Sequence, residues 1–363
     1  MNCGVKEKPP GKCGEMKIIC NIRNLNGPMT GVQRYTNELI SRFRDNIETI
    51  KPNINVTNGY TGHLWEQLIL PSKIKDKLLW SPANTGPVFV NNQVVTIHDI
   101  SPIDHPEWNT RKFSSWYNFI TPKLIDNSKI IITGSEFTKK RILNRYKVSS
   151  DKIKVTPYGV GINFTDYKNK EVQSITLQNY RLQFKKYVFV LGSLEPRKNI
   201  NRVLKSWEVI SKEIPKDIYL VIAGGMGNPI IFKKMYFDNL PERVILTGRV
   251  LDQELPYLYS GALASINISL YEGFGLPALE SLACGITPIV SSNSSMSEFT
   301  GIHGVYVDPM NLDEIIYAIK ETILSKLFNE DKADTIIERI NHSKTYNWDV
   351  TYKLTSRILN EVM

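Results

Sequence analysis

The chain has 363 residues, of which 42% are hydrophobic and 22% charged, and it carries a formal net charge of +9. One hydrophobic core organises at most about 250–300 residues, so two domains are expected. The composition is typical of a globular protein and excludes a disordered, collagen-like or coiled-coil chain. The longest apolar runs, at residues 187–191 and 218–223, are far shorter than the roughly 20 residues of a transmembrane helix.

Most of the positive charge lies in the first half of the chain. Residues 1–175 contain 25 lysines and arginines against 15 acidic residues, whereas residues 176–363 contain 20 against 21. A basic half attracts nucleic acid, an anionic membrane or a phosphorylated substrate, unless it is simply the surface of a soluble domain. The charge comes without a nucleic-acid-binding signature, so nucleic acid is not expected as a partner.

The amino terminus and the cysteines indicate the compartment. Residues 1–15 contain three lysines and lack the apolar segment of a secretion signal. The four cysteines show neither a CxxC pair nor metal-ligand spacing, and they are Cys3, Cys13, Cys20 and Cys284. We therefore expect free thiols in a reducing cytosol.

Short apolar runs alternate with amphipathic segments along the first half, which predicts a parallel sheet covered by helices. Strands are predicted at residues 17–22, 78–81, 94–98, 129–133 and 154–156. Helices are predicted at residues 32–43, 112–126 and 136–146. Ser135 is placed to cap the last of these helices.

The second half repeats this alternation. Strands are predicted at residues 187–191, 218–223, 244–247, 264–268, 288–290 and 305–307. Helices are predicted at residues 201–213, 231–239, 253–260, 277–284 and 312–325, and a last helix at 347–360. The pattern favours a second parallel sheet of the same class.

We therefore expect an α/β protein of two Rossmann-like, doubly wound domains with a ligand in the cleft between them, at the carboxyl ends of the strands. The expected segments are a disordered extension (1–15), a first domain (16–165), a linker (166–186), a second domain (187–345) and a final helical segment (346–363).

The richest motif follows the predicted strand at 264–268. Glu272 precedes the next helix and Glu280 lies about one turn inside it, and carboxylates accept paired hydrogen bonds from sugar or ribose hydroxyls. Backbone amides at the start of this helix form an anion site, and they belong to Gly273, Phe274, Gly275 and Leu276. A strand-to-helix turn with two solvated carboxylates is the alternative.

The sequence Glu-Gly-Phe-Gly-Leu-Pro-x-Leu-Glu at 272–280 resembles the Glu-x7-Glu signature of the retaining glycosyltransferases of family 4. This resemblance implies the GT-B fold, in which two Rossmann-like domains flank a cleft and the last helix crosses back to the first domain. It also implies that Glu280 binds the ribose of a nucleotide-sugar donor and that Glu272 positions the donor sugar.

Residues 192–199 resemble the loop of that family which carries two cations toward the donor diphosphate. Fixed cations stabilise the negative charge that develops on the leaving phosphate. Lys198 matches the lysine of the family, but Ser193 occupies the place of the usual arginine. Arg197 or Arg249 is therefore expected to supply the second cation.

Two segments of the first domain add to the resemblance. Gly31 lies in a loop similar to the glycine-rich loop beneath the diphosphate, although its glycines do not spell GxGxxG. Arg34, in the following helix, contacts phosphate or acceptor in one interpretation and solvent in the other. His98 ends a strand where similar enzymes bind the transferred sugar, so we expect it to contact a sugar hydroxyl. A structural histidine is the alternative, and the neighbouring Asp99 has no assigned role.

Other segments bear on which nucleotide sugar is the donor. Val250 and Arg249 follow the strand at which similar enzymes bind the nucleotide base. The segments 65–68, 84–87 and 104–108 resemble those of bacterial mannosyltransferases of surface-polysaccharide assembly. This narrower resemblance suggests GDP-mannose as the donor.

We therefore expect a retaining, metal-independent hexosyltransferase that moves mannose from GDP-mannose to a lipid-linked or growing surface-polysaccharide (O-antigen, lipopolysaccharide) glycan. The sequence lacks an Asp-x-Asp metal motif, so neither metal nor cofactor is expected beside the nucleotide-sugar substrate. The alternatives are another donor (UDP-N-acetylglucosamine, UDP-glucose or dTDP-rhamnose), a GT-B phosphorylase or epimerase, and a non-catalytic nucleotide-sugar-binding subunit.

An anionic, membrane-borne acceptor gives the basic half a role. We expect a cytoplasmic protein in peripheral contact with the inner face of the membrane. The expected contact surface consists of Lys139, Lys140, Arg141, Arg145 and Lys147. A solvated helix face is the alternative.

Overall fold

The computed structural model describes residues 17–27, 30–52, 59–164, 170–225, 240–329 and 331–363. The expected extension at 1–15 and the predicted helix at 231–239 lie outside these residues, as do Cys3 and Cys13. Cys20 and Cys284 are buried and are not joined in a disulfide bond. Within the described part of the chain, every helix is too short or too polar to cross a membrane.

The first domain is built on a parallel sheet that has six strands among the described residues. They are β1 (Ile18–Asn21), β2 (Glu48–Ile50), β3 (Leu78–Ser81), β4 (Gln93–Thr96), β5 (Ile130–Thr133) and β6 (Ile153–Val155). Their order is β2-β1-β3-β4-β5-β6. The order reverses between β1 and β3, and open α/β sheets bind ligands at such a switch point.

Helices cover this sheet. They are α1 (Gly31–Phe43), α2 (Gly59–Leu64), α3 (Leu70–Ile74), α4 (Ser101–Asp104), α5 (Arg111–Asn127) and α6 (Glu136–Arg145). A π-helical turn at Trp65–Ile69 joins α2 to α3. The three predicted helices are confirmed, and the side chain of Ser135 caps α6 by accepting a hydrogen bond from the amide of Thr138.

The second domain repeats the architecture. Its strands are β7 (Tyr187–Leu191), β8 (Tyr219–Ala223), β9 (Val244–Gly248), β10 (Ala264–Asn267), β11 (Thr287–Ser291) and β12 (Val305–Val307). They lie in the order β12-β11-β10-β7-β8-β9, so the switch point falls between β7 and β10. The six strands predicted here are confirmed.

The helices of the second half include one in the segment expected to be a linker. They are α7 (Lys170–Asn179), α8 (Ile200–Ile210), α9 (Leu255–Gly261), α10 (Leu276–Ala283), α11 (Met296–Thr300), α12 (Leu312–Phe328), α13 (Ala333–Lys344) and α14 (Trp348–Glu361). Leu177 of α7 packs with Tyr187 and Tyr259 in the core of the second domain. Much of the segment 166–186 is therefore part of that domain.

The last helix returns to the first domain. Trp348 and Leu359 of α14 are buried in the same cluster as Tyr35 of α1. Phe274 and Phe299 of the second domain join this cluster. The two domains are thus held together by shared apolar packing beneath the cleft.

Candidate active site

The loop after β10 presses against the first domain at Gly273. Its carbonyl oxygen accepts hydrogen bonds from Ser135 Oγ (2.6 Å) and Thr138 Oγ1 (3.2 Å). A Cβ atom on Gly273 would lie 2.2 Å from the carbonyl oxygen of His98, so this position requires glycine. The carboxyl ends of β4, β5 and β10 therefore meet in one cleft.

The same loop is held in shape from within the second domain. Ser295 Oγ donates hydrogen bonds to the carbonyl oxygens of Glu272 (2.6 Å) and Phe274 (2.9 Å). Gly275 has φ of +98°, and a Cβ atom there would lie 2.4 Å from Met296 Cγ. The helix start at Leu276 is thereby fixed.

The side chain of Phe274 has a packing role. Its ring stacks on Tyr158 of the first domain, with centroids 4.6 Å apart, and packs against Phe299 at 3.9 Å. The ring of Phe274 is therefore part of the packing between the two domains.

Two cations converge on one carboxylate oxygen at the switch point of the second sheet. Lys198 Nζ lies 2.6 Å and Arg197 Nη1 lies 3.1 Å from Glu272 Oε2. The amide of Leu270 donates to the carbonyl oxygen of Arg197 (2.7 Å), which ties the two loops together. Asn199, with φ of +59°, ends the cationic turn.

The electrostatics of this cluster favour its charged form. Burial acts to raise the pKa of Glu272, but Lys198 and Arg197 outweigh burial and hold that pKa at about 2. Burial lowers the pKa of Lys198, although Glu272 opposes the shift. Burial also acts to lower the pKa of Arg197, but the charges of Glu272 and Asp99 raise it above its usual value. The carboxylate is ionised at neutral pH and holds both cations toward the cleft.

The geometry distinguishes the two arginines considered for the second cation. Arg197 lies beside Lys198 on the loop after β7. Arg249 is exposed and follows β9, two strands from β7 in the sheet, a separation of roughly 10 Å. Val250 is buried in the core of the second domain with Leu255, so its side chain packs there.

The second carboxylate of the motif belongs to Glu280, which is buried in α10. A side chain of the first domain contacts it. Arg34 Nη1 donates to its Oε1, and the hydroxyl of Tyr259 lies 3.4 Å from its Oε2. Arg34 Nη2 also contacts Asp252 at 2.8 Å. Burial raises the pKa of Glu280, and the charge of Arg34 acts in the opposite direction. Each carboxylate oxygen retains a second lone pair for a hydroxyl donor.

The ring of His98 has a different role from the one expected, because both of its nitrogens bond to protein groups. Its Nε2 lies 2.8 Å from the carbonyl oxygen of Pro82, so Nε2 carries the proton and Nδ1 accepts from the hydroxyl of Tyr158. Burial lowers the pKa of His98 to about 4, so the ring is neutral at pH 7. With both nitrogens engaged, the ring fixes the loop at Pro82, in place of the expected bond to a sugar hydroxyl.

Other expected residues border the cleft. A Cβ atom on Gly31 would lie 3.8 Å from Leu276 Cδ1, so α1 and α10 begin opposite each other. Ser193 is half-buried directly after β7. The neighbouring Gly192 packs closely against Gly224. A Cβ atom on residue 224 would lie 2.0 Å from the carbonyl oxygen of Gly192, so glycine is required there. In the described ranges, His, Cys, Asp and Glu side chains do not gather in threes that would hold a metal ion.

Comparison with known proteins agrees with this geometry. Residues 178–341 match the family model "Glycosyl transferases group 1". The chain is 26% identical to O-antigen chain mannosyltransferase B of Escherichia coli, over 92% of this chain and 97% of that protein. The chain is a glycosyltransferase. It is also 28% identical to O-antigen chain mannosyltransferase RfbU of Salmonella typhimurium, over 78% of this chain and 74% of that protein.

Solved structures establish the fold of this glycosyltransferase. HepE of Anabaena, in complex with UDP and glucose, superposes with a TM-score of 0.73 at 14% identity, over 95% of this chain and all of that one. WaaG, a glycosyltransferase involved in lipopolysaccharide biosynthesis, superposes with a TM-score of 0.68 at 12% identity, over 95% of this chain and 99% of that one. The expected GT-B fold and the resemblance to surface-polysaccharide mannosyltransferases are confirmed.

Proposed function

We propose that this glycosyltransferase moves mannose from GDP-mannose to a lipid-linked or growing surface-polysaccharide glycan, with retention at the anomeric carbon and without a metal ion. The observation that carries the proposal is the convergence of Lys198 and Arg197 on Glu272, between the ends of β7 and β10. The mannose and the polysaccharide acceptor are supported by the names of two relatives, both O-antigen chain mannosyltransferases.

The chemistry follows from the charges of the cleft. As the bond between the anomeric carbon and the diphosphate breaks, Lys198 and Arg197 stabilise the negative charge on the leaving phosphate. The acceptor hydroxyl forms its bond to the same face of that carbon and passes its proton to a phosphate oxygen of the donor. Glu272 is held ionised by two cations, and it orients the donor sugar by accepting hydroxyl hydrogen bonds.

The nucleotide binds beside this centre. The free lone pairs of Glu280 accept hydrogen bonds from the ribose hydroxyls, while Tyr259 and Arg34 keep the carboxylate oriented. The backbone amides from Gly273 to Leu276 and the start of α10 face the diphosphate. Cations and amides thereby take the place that a metal ion has in metal-dependent transferases.

Peripheral membrane contact belongs to the same proposal. Lys140, Arg145 and Lys147 of the expected surface are exposed at or just beyond α6. Arg141 instead pairs with Asp104 at 2.7 Å. The remaining cations are suited to an anionic inner leaflet that carries the acceptor.

The test replaces one lysine in the cleft and one matched lysine outside it. Lys198→Ala is expected to lower kcat for mannose transfer from labelled GDP-mannose about 100-fold or more, because a fixed charge on the leaving group is lost. Lys320→Ala also removes a lysine–carboxylate pair, with Glu213 at 2.6 Å, and is expected to keep wild-type kcat.

Three outcomes would overturn parts of the proposal. Transfer by Lys198→Ala within twofold of wild type contradicts the leaving-group role. Inversion at the anomeric carbon, read from the carbon–hydrogen coupling in the product NMR spectrum, contradicts retention. Loss of activity in EDTA that returns with added Mg²⁺ contradicts metal independence.

A further inference from the structure

A second polar pocket lies at the switch point of the first sheet. It is formed by the segments that follow β1 and β3 and by the π-helical turn, and it is lined by Arg23, Asn24, Glu66, Pro82, Ala83 and Thr85. The cavity measures about 10 Å³, which is room for one oxygen atom the size of a water molecule. Its place in the sheet corresponds to that of the cation cluster in the second domain.

A buried carboxylate holds the pocket together. Glu66 is 1% exposed, and its Oε1 accepts hydrogen bonds from Asn21 Nδ2 (2.7 Å) and Thr85 Oγ1 (3.1 Å). Burial acts to raise the pKa of Glu66, but His63, Arg23 and Asn21 lower it overall, so the group is ionised. Arg23 Nη2 lies 3.5 Å from Glu66 Oε2 and donates to Thr85 Oγ1 at 3.0 Å. Glu66 therefore fixes Arg23.

The segments 65–68 and 84–87, which narrowed the sequence resemblance, meet at this pocket. Besides the bond between Glu66 and Thr85, Gln67 Nε2 donates to the carbonyl oxygen of Gly86 (2.8 Å). Gln67 Oε1 accepts from the amide of Val88 (2.9 Å). Both segments thus build one rigid wall.

Two buried polar atoms of adjacent residues remain unpaired among the described residues, Arg23 Nε and Asn24 Oδ1. The orientation of the Asn24 amide is fixed, because its Nδ2 donates to Thr36 Oγ1 (2.9 Å), whose own proton goes to the carbonyl oxygen of Val32 (3.1 Å). Arg23 Nε is a donor and Asn24 Oδ1 is an acceptor, and both residues line the pocket.

A hydroxyl group both accepts and donates, whereas a phosphate ester only accepts and an ammonium group only donates. We propose that this pocket binds one hydroxyl group of the acceptor glycan, which accepts from Arg23 Nε and donates to Asn24 Oδ1. The inference rests on the proposed function and assigns acceptor recognition to the first domain.

The pocket adjoins the reaction cleft through a short loop. Pro82, which lines the pocket, accepts from His98 Nε2, and Asn84 Oδ1 accepts from the amide of His98 (2.6 Å). The carbonyl oxygen of His98 in turn faces Gly273 of the donor domain. The loop that lines the pocket is therefore bonded to the residue that contacts Gly273, and we assign Arg23 and Asn24 a role in binding.

The experiment pairs variants with modified acceptors. Octyl α-mannoside, octyl N-acetylglucosaminide and their monodeoxy analogues serve as acceptors with GDP-mannose. Asn24→Ala and Arg23→Lys are expected to raise the KM for the parent acceptor at least tenfold and to leave the Kd for GDP-mannose unchanged. The exposed Asn118→Ala in α5 is the control and is expected to keep wild-type KM.

One monodeoxy acceptor, which lacks the bound hydroxyl, is expected to have the same raised KM with wild type and with Asn24→Ala. If the variants raise KM by the same factor for every acceptor, or leave it unchanged, the pocket holds only a water molecule and the inference is overturned. The comparison of the parent and monodeoxy acceptors is also made with wild type alone. It therefore still tests the inference if a variant fails to fold. If wild type transfers mannose to neither octyl glycoside, the inference and the proposed function are both contradicted.

Discussion

At the scale of single residues, two buried groups in the cleft have lowered pKa values with opposite consequences. Glu272, with a pKa of about 2, is charged at neutral pH because two cations contact it. His98, with a pKa of about 4, is uncharged because burial removes it from water. The second-domain side of the cleft is thus charged, while the histidine on the first-domain side serves as a neutral hydrogen-bonding link.

The pKa of His98 makes stability depend on pH. Between pH 6.5 and 4 the unfolded chain binds a proton at this site and the folded chain does not, so the free energy of unfolding falls as the pH decreases through that range. Wild type is expected to lose up to about 3 kcal/mol more than His98→Gln. Urea unfolding at pH 7, 5.5 and 4 measures this difference, and an identical pH dependence of the two proteins would contradict it.

The sequence was informative about local motifs and silent about distant partners. Lys198 and Glu272 were assigned from short segments, and they do meet in the structure. The partners of His98, Tyr158 and Pro82, are 60 and 16 residues away in the sequence. Local sequence did not reveal them, so it predicted that His98 faces a ligand. The contact of Arg34 with Glu280 spans 246 residues, beyond the reach of any local pattern.

At the scale of elements, helix α6 joins the two domains and exposes a basic end. Its first amides, at Glu136 and Phe137, donate to the carboxylate of Glu298 in the second domain at 2.9 and 2.6 Å. A carboxylate is stabilised at a helix amino terminus by the helix dipole. The amino end of α6 is therefore in contact with the second domain, and Arg145 at its carboxyl end is exposed.

Charge reversal on α6 tests that contact. The triple variant Lys140→Glu, Arg145→Glu and Lys147→Glu is expected to reduce cosedimentation with vesicles of phosphatidylglycerol and phosphatidylethanolamine at least tenfold. The control reverses three exposed lysines of the second domain, Lys205, Lys212 and Lys216. Equal binding by the two triple variants would remove α6 as the membrane contact.

Elements with strong patterns were predictable and those with polar interiors were not. Most of the predicted strands are nearly continuous buried runs, as in β4 and β11. Helix α7 escaped prediction because Gln173 and Thr176 occupy buried positions where apolar residues would mark a helical face. The edge strand β2 has only three residues and is partly exposed, so it gave no apolar run.

At the scale of the whole molecule, the two sheets bring their switch points to a common cleft. The second sheet contributes the cations and Glu280, and the first contributes the pocket of Arg23 and Asn24. The packing of Phe274 on Tyr158 and the return of α14 to the first domain hold the two domains together. The arrangement fits the proposed function, in which the second domain binds the donor and the first domain binds the acceptor.

The central claim is tested most directly by calorimetric titration of GDP-mannose, UDP-glucose, UDP-N-acetylglucosamine and dTDP-rhamnose into wild type, Glu280→Gln and the exposed control Glu338→Gln. The account predicts that GDP-mannose binds most tightly to wild type and to Glu338→Gln. It predicts about tenfold weaker binding to Glu280→Gln, the loss of roughly one hydrogen bond to a charged group. Tighter binding of another donor would contradict the donor assignment, and unchanged affinity in Glu280→Gln would contradict the site itself.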